Sequence, residues 1–305
     1  MQPKKTVLIT EATKDPGLEV AKFFALSGDK VIFLSHHKVV AEEALRAIKE
    51  NAPESHVVYE HVDLADLEDV ENFASKFLAE HEELHILINN SEITYLDQRE
   101  ESAQKHEMMF AFNYLSHFVL TAKLFPLLLK TPESRIVFES SLESRKGVLD
   151  FFDLEARQFY DSNKAYAQSK LALLIFAREL DRRLKATNLP IKSIPVHTGG
   201  FHTPLLSRFL NFALGQAPKH AATPLIFAAT SSEALSGHYY GLEGMHKVWG
   251  APVDVDFTSE ASNVLIAERL WDISESMSEV YFSIHDMSNV IPLQDIKGTR
   301  PEFHP

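Results

Sequence analysis

Cysteine is absent from the 305 residues, which excludes disulfides and thiolate metal sites. Glycine is sparse, at 11 residues. Positive charge is outnumbered: 30 Lys and Arg face 43 Asp and Glu, for a formal net charge of −13. That sign disfavours a nucleic-acid surface, whose phosphates need positive patches, and it disfavours anionic membrane leaflets. Long apolar runs are missing as well. The greasiest stretch is broken by Lys123 and Pro126, so neither nucleic acid nor membrane is expected as a partner. The first strand-like run begins at Val7, too early to leave room for a cleavable signal. With no cysteine, the expectation is a cytoplasmic protein. The 15 histidines read as scattered surface residues, and no metal site is expected.

What is present is an ordinary globular balance, 45% hydrophobic and 24% charged. TVLIT (6–10) reads as a buried strand, and KVIFLS (30–35), HVVYEHVD (56–63), LHILINN (84–90), RIVFESS (135–141) and IKSIPVH (191–197) read as further strands. Helical patterns fill the intervals: 17–28, 39–50, 67–80, 100–130 and 163–186. Short β-rich runs alternating with 3.6-period helices mean βαβ units and a parallel sheet. Right-handed crossovers then give an α/β, doubly wound, Rossmann-type sheet of order 3-2-1-4-5-6, with a seventh strand expected beyond. One domain is expected over 1–285, including a substrate lid at about 201–250, followed by a tail at 286–305. A further helix is expected at 258–274, and the apolar run Pro204–Leu214 reads as a lid helix or an oligomer contact. Such sheets bind ligands beyond the carboxyl ends of their strands, at the switch point.

The first strand-to-helix turn departs from that scheme. A dinucleotide fold places glycines there, so that backbone amides approach a pyrophosphate. This turn reads Thr10-Glu11-Ala12-Thr13-Lys14-Asp15-Pro16-Gly17, and only the last glycine remains. Two carboxylates, Glu11 and Asp15, stand where phosphate would. At ~5 Å and an effective dielectric near 20, one such repulsion costs roughly 3 kcal/mol. Lys14 could offset part of it.

Tyr166 and Lys170, four residues apart in YAQSK, share one helix face. An ammonium beside a phenol stabilises the phenolate, which suits proton exchange with a carbonyl/alcohol pair. The spacing alone is weak evidence, because Tyr160 and Lys164 repeat it at the ragged start of the same helix. Position adds weight: strand five ends in Ser140-Ser141, and Asn113 follows HEMMFAF between strands four and five.

From residue 5 to about 275 the chain resembles the short-chain dehydrogenase/reductase family, and within it the retinol-dehydrogenase-like branch. VDLADLEDV (62–70), ILINN (86–90), FNYLSHFVLT (112–121), RIVFESS (135–141), AYAQSKLALLIF (165–176), SGHYY (236–240) and AERLWDIS (267–274) carry the likeness. The resemblance implies catalytic roles for Asn113, Ser141, Tyr166 and Lys170. Tyr166 would be the acid/base, and Lys170 would lower its pKa and hold the nicotinamide ribose. Ser141 would bind the substrate oxygen, and Asn113 would anchor a proton-relaying water. NADP or NAD would be held by Thr10, Gly17, His36, Asp63, Asn89 and Thr203, together with Tyr166 and Lys170. His36, His37 and Lys38 stand where this branch offers an arginine to a 2′-phosphate, which leans toward NADP. The family's Asn-Asn-Ala-Gly becomes Asn89-Asn90-Ser91-Glu92, and the residue before the serine pair is Glu139. Dinucleotide binding is therefore in question through Glu11, Asp15 and Glu92. The fold's habit of pairing through long helices allows a homodimer or homotetramer.

Three functions remain open on the sequence. One is an NADP(H)- or NAD(H)-dependent oxidoreductase acting on a small hydrophobic alcohol or carbonyl. Another is a non-catalytic binding protein that has lost the cofactor. The third is a redox-neutral acid/base enzyme using Tyr166 and Lys170.

Overall fold

The computed structural model describes residues 4–199, 218–243 and 250–285. Strands β1 (Thr6–Thr10), β2 (Lys30–Ser35), β3 (Val57–His61), β4 (Ile86–Asn89), β5 (Arg135–Ser140) and β6 (Lys192–His197) form the parallel centre of one sheet. The two short strands β7 (Tyr240–Leu242) and β8 (Pro252–Asp254) extend it. Among the described residues the order is 3-2-1-4-5-6-7-8. The expected order and seventh strand are found, and β8 adds an antiparallel edge on β7, a common finish to a parallel sheet.

Both faces of the sheet's centre are covered, which is why its central strands read as continuous apolar runs, whereas the edge strand β3 is largely half-buried or exposed. Along β1, Leu8 faces one core, while Val7 and Ile9 face the other. The first core lies under α3 (Leu67–Glu80), α4 (Met108–Lys130), α5 (Ser162–Ala186) and α7 (Val264–Ser278). The second lies under α1 (Gly17–Leu26), α2 (Lys38–Asn51) and α6 (Pro218–Thr230). The aromatic centre of the first core is Phe118, which packs against Phe176 and Trp271. Helix starts follow capping chemistry: Asp66 accepts from the Glu68 amide, Asp161 from Asn163 and Lys164, and Asn263 from Leu265.

Several boundaries need correction. The helix expected over 100–130 starts at Met108, because Glu107 caps it through the amides of Met109 and Phe110. Before it, Glu101 and Glu107 form an isolated antiparallel bridge. The helix expected at 258–274 runs instead from Val264 to Ser278. Lys123 and Pro126 do not interrupt α4, since Pro126 lies within the helix and Lys123 pairs with Glu71 at 2.5 Å. Over its 23 residues α4 is long and apolar enough to cross a membrane, yet its most apolar window is 89% buried inside the protein. Its composition is that of a core helix. The lid segment Pro204–Leu214, Thr203 and the tail at 286–305 lie outside the described residues.

Candidate active site

The carboxyl ends of β1, β4, β5 and β6 meet helix α5 at one crevice, and one hydroxyl ties the first two together. Thr10 Oγ1 accepts from the amides of Asn90 (2.8 Å) and Ser91 (3.1 Å). It also meets His117 Nε2 at 3.1 Å, while His117 Nδ1 meets the Asn113 carbonyl at 3.0 Å. Nδ1–H therefore donates to the carbonyl and Nε2 accepts from Thr10. Burial holds the His117 pKa down at about 3, helped by the Lys170 charge and opposed by the Asn113 carbonyl. The imidazole is thus a neutral strut.

Asn113 lies on a π turn in α4, Ala111–Leu115, a distortion that often marks functional positions. Its Oδ1 accepts from the Ile93 amide at 2.7 Å. Its Nδ2 donates to the Ile93 carbonyl and to Ser169 Oγ, both at 3.0 Å. Asn113 thereby clamps the segment after β4 to helix α5.

Ser140 and Ser141 separate in role. Ser140 Oγ donates to the Lys170 carbonyl at 2.9 Å and holds the helix. Ser141 opens a short 3₁₀ turn, accepting from the Glu143 amide, and its hydroxyl also hydrogen-bonds the Tyr166 phenol. Ser141, Tyr166 and Lys170 therefore share one crevice, with Asn113 bracing its wall. The pair Tyr160 and Lys164 is elsewhere: Lys164 Nζ lies over the Phe159 ring.

Tyr166 and Lys170 are both fully buried, and both are held by Glu92. Tyr166 Oη donates to Glu92 Oε2 at 2.8 Å, and Lys170 Nζ reaches the same oxygen at 2.8 Å. Lys170 Nζ also donates to the Glu139 carbonyl at 3.1 Å and stands 3.7 Å from Glu139 Oε2. The other Glu139 oxygen accepts from Thr198 Oγ1 at 2.8 Å. Burial and the Glu92 charge raise the Tyr166 phenol well above its usual range, against the Ser141 hydrogen bond. Burial alone would lower the Lys170 ammonium, but Glu92 and Glu139 outweigh it and hold it above its ordinary value. Burial pushes Glu139 up to about 7, with Lys170 opposing and Glu92 adding. Tyr166 is therefore held protonated and is a weaker acid than a free phenol as it stands; the lowering expected from Lys170 is not found while Glu92 holds both groups.

The remaining sequence candidates spread along the crevice. Asn89 donates to Thr121 Oγ1 at 3.2 Å. Asp63 accepts from the Ala65 amide at 2.9 Å and so caps its own turn. The rings of His36 and His37 lie 3.6 Å apart between centroids, tilted by 43°, and burial and His37 hold the His36 pKa down. Glu11 adopts a left-handed conformation, φ +62°. Its carboxylate accepts from the Thr13 amide at 3.0 Å, from the Thr13 hydroxyl, and from Ser35 Oγ at 3.3 Å. Gly17 is packed against the same turn: a Cβ there would lie 2.3 Å from the Glu11 carbonyl. Sequence reasoning passed over Thr198, Asn90 and His117, all short or mid-sized polar residues just beyond a strand or one turn past Asn113. Among the described residues no three His, Asp or Glu side chains come together in a metal-holding arrangement.

The family model for short chain dehydrogenases matches residues 5–211. The chain belongs to the short-chain dehydrogenase family. Within it the chain lies in the retinol-dehydrogenase-like branch. It is 33% identical to human retinol dehydrogenase 11 over 282 residues, 89% of this chain and 85% of that protein. It is 34% identical to bovine retinol dehydrogenase 12 over 280 residues, 88% of this chain and 85% of that protein. Among solved structures, an uncharacterized protein from Mycobacterium paratuberculosis superposes with a TM-score of 0.79 at 28% identity, covering 92% of this chain and 96% of its own. A metagenomic short-chain oxidoreductase in complex with NADP shares the fold, with a TM-score of 0.58 at 17% identity, over 77% of this chain and 95% of its own.

Short-chain dehydrogenases work with NAD or NADP. Three buried polar atoms at the end of β4, Asn89 Oδ1, Asn90 Oδ1 and Ser91 Oγ, have no hydrogen-bond partner, and buried polar atoms call for one. The other contacts oppose a dinucleotide as the side chains stand. The phenol and ammonium that would meet the ribose are taken by Glu92, and the Thr13 amide is taken by Glu11. A residue in the left-handed region with its carboxylate folded over the turn replaces the open glycine cradle. In this arrangement the residues do not fit the cofactor.

Proposed function

We propose that this short-chain dehydrogenase interconverts an alcohol and a carbonyl on a small hydrophobic molecule, using NADP(H) or NAD(H). The observation that carries the reading is the convergence of Ser141, Tyr166 and Lys170 at one crevice, with Asn113 fixing its wall. The chain's own residues supply the proton half of that reaction. The phenol of Tyr166, turned from Glu92 toward the substrate, gives its proton to a carbonyl oxygen, and the Ser141 hydroxyl orients that oxygen. Lys170 stabilises the charge left on the phenolate. A hydrophobic substrate is supported by the apolar surroundings of the site, because Tyr166 belongs to a cluster with Met109 and Ala165 against which the partly buried Ile93, Tyr95, Leu96 and Tyr160 pack. Surroundings of that kind favour apolar ligands, with a few polar groups fixing their orientation.

One observation favours a second reading, a binding protein that no longer uses the cofactor: Glu92 and Glu11 both occupy donors a dinucleotide would need. Calorimetric titration with NADPH and then NADH decides between the two. Micromolar binding, followed by turnover that Tyr166→Phe abolishes, is the outcome expected for the oxidoreductase. No heat of binding at millimolar concentration would sink it in favour of the binding protein.

A further inference from the structure

We infer that Glu92 is an internal competitor for the cofactor's seat: its carboxylate holds Tyr166 and Lys170 in place of the ribose hydroxyls and has to leave before a dinucleotide is held. The inference rests on the oxidoreductase reading, because a competitor implies something to compete with.

Two donors on one turn of α5 converge on a single Glu92 oxygen, each at 2.8 Å. A ribose hydroxyl seated between phenol and ammonium would need those same two donors. Glu92 is not an outlying surface carboxylate that brushes the site, since its side chain is only 15% exposed and its ammonium partner is completely buried. Charge-assisted hydrogen bonds in a dry site are the strong ones. The chain thus satisfies its own reaction centre.

Glu92 also has the means to move. It follows β4 outside any regular element, and its neighbour Ile93 is anchored through the Asn113 clamp. A side-chain rotation then suffices, with the backbone held. On its departure Lys170 keeps Glu139, through the carbonyl at 3.1 Å and the carboxylate at 3.7 Å, so the ammonium is not abandoned. Glu139 is bound to Thr198 as well and lies within β5, so it cannot swing out in the same way. Of the two carboxylates on Lys170, Glu92 is the displaceable one.

The test is NADPH affinity, measured by calorimetry on the full chain, for the unaltered protein, Glu92→Ala and Glu92→Gln. Glu92→Ala removes the competitor and is expected to bind at least tenfold more tightly. Glu92→Gln keeps the shape, loses the charge and is expected to fall between the two. It also carries the test if circular dichroism shows that Glu92→Ala does not fold. Equal affinity in all three proteins would overturn the competitor while leaving the oxidoreductase reading intact. Failure of all three to bind at millimolar NADPH would overturn both, since removing Glu92 would then have opened nothing.

Discussion

Tyr166 Oη and Lys170 Nζ both rest on Glu92 Oε2, each at 2.8 Å. This makes the pair an electrostatic unit rather than two residues with separate duties. The unit carries a phenol, one ammonium and two carboxylates, Glu92 and Glu139, behind walls of apolar side chains. Its parts respond differently to mutation, and those differences are measurable.

Removing the phenol oxygen alone should silence turnover. In Tyr166→Phe the proton donor is gone, while Lys170 still holds Glu92. The expected loss in turnover is about 10²- to 10⁴-fold, the usual worth of a positioned acid/base group. The affinity for NADPH should move by no more than about tenfold, the value of one hydrogen bond. Steady-state kinetics beside a binding titration check this. Retention of a tenth or more of the activity would take the proton from Tyr166 and give it to another group.

Removing the ammonium should instead damage the fold. Lys170→Met leaves Glu92 and Glu139 facing each other in a buried site, and breaking such a pair by deleting one partner costs about 3–5 kcal/mol. For a chain of this size that lowers the melting temperature by on the order of 10 °C. Adding Glu92→Gln and Glu139→Gln to Lys170→Met removes both orphaned charges and should restore most of the loss. Thermal unfolding of the single and triple variants is the measurement. A single variant as stable as the parent would mean that the carboxylates protonate without cost.

His117 predicts an acid sensitivity with a definite sign. Its folded pKa is about 3 against an ordinary value of 6.5, chiefly through burial. The unfolded chain therefore binds a proton below pH 6.5 that the folded chain refuses. Stability from this group is complete above pH 6.5 and is lost as the pH falls toward 3, by about 1.4 kcal/mol per unit. Glu139, raised to about 7 by burial, acts in the opposite sense, since the folded chain holds its proton more tightly than the unfolded chain. His36, His81 and His85 are shifted down as His117 is, so only a difference measurement isolates the strut. Urea unfolding between pH 4 and 6.5 should show a shallower pH slope in His117→Gln than in the parent, by up to one proton. Identical slopes would mean that His117 titrates normally.

Much of this was legible in the sequence, for a physical reason. The central strands announced themselves as apolar runs because both sheet faces are covered there, while the edge strand β3, with Val58 and His61 exposed, was legible through its β-branched and aromatic residues; the handedness of the crossovers gave the order. Tyr166 and Lys170 were legible because helical spacing dictates a shared face. The contact of Glu92 with that pair was not, because a side chain after a strand end has no period to set its direction. Glu11 was legible as a missing glycine but not as a carboxylate folded back onto its own turn, since a φ of +62° is rare for glutamate. The early start expected for α4 failed because Glu107, five residues past Ser102, caps the helix from inside an apparently helical run. The three-residue strand β8 is too short to show any alternation.

Gly17 is the one glycine left in the altered turn, and its retention can be explained without a phosphate. A Cβ at this position would sit 2.3 Å from the Glu11 carbonyl and 2.6 Å from Asn90 Nδ2. Those two atoms are hydrogen-bonded to each other at 2.8 Å, so the methyl group would drive apart the bond that ties the first turn to the end of β4. Overpacking of this kind costs about 1–3 kcal/mol. Gly17→Ala should therefore lower the melting temperature with no nucleotide present. If the glycine served only a ligand, the apo proteins would melt together and differ only in NADPH titration. A depressed apo melting point would show that close backbone packing, and not pyrophosphate, keeps residue 17 a glycine.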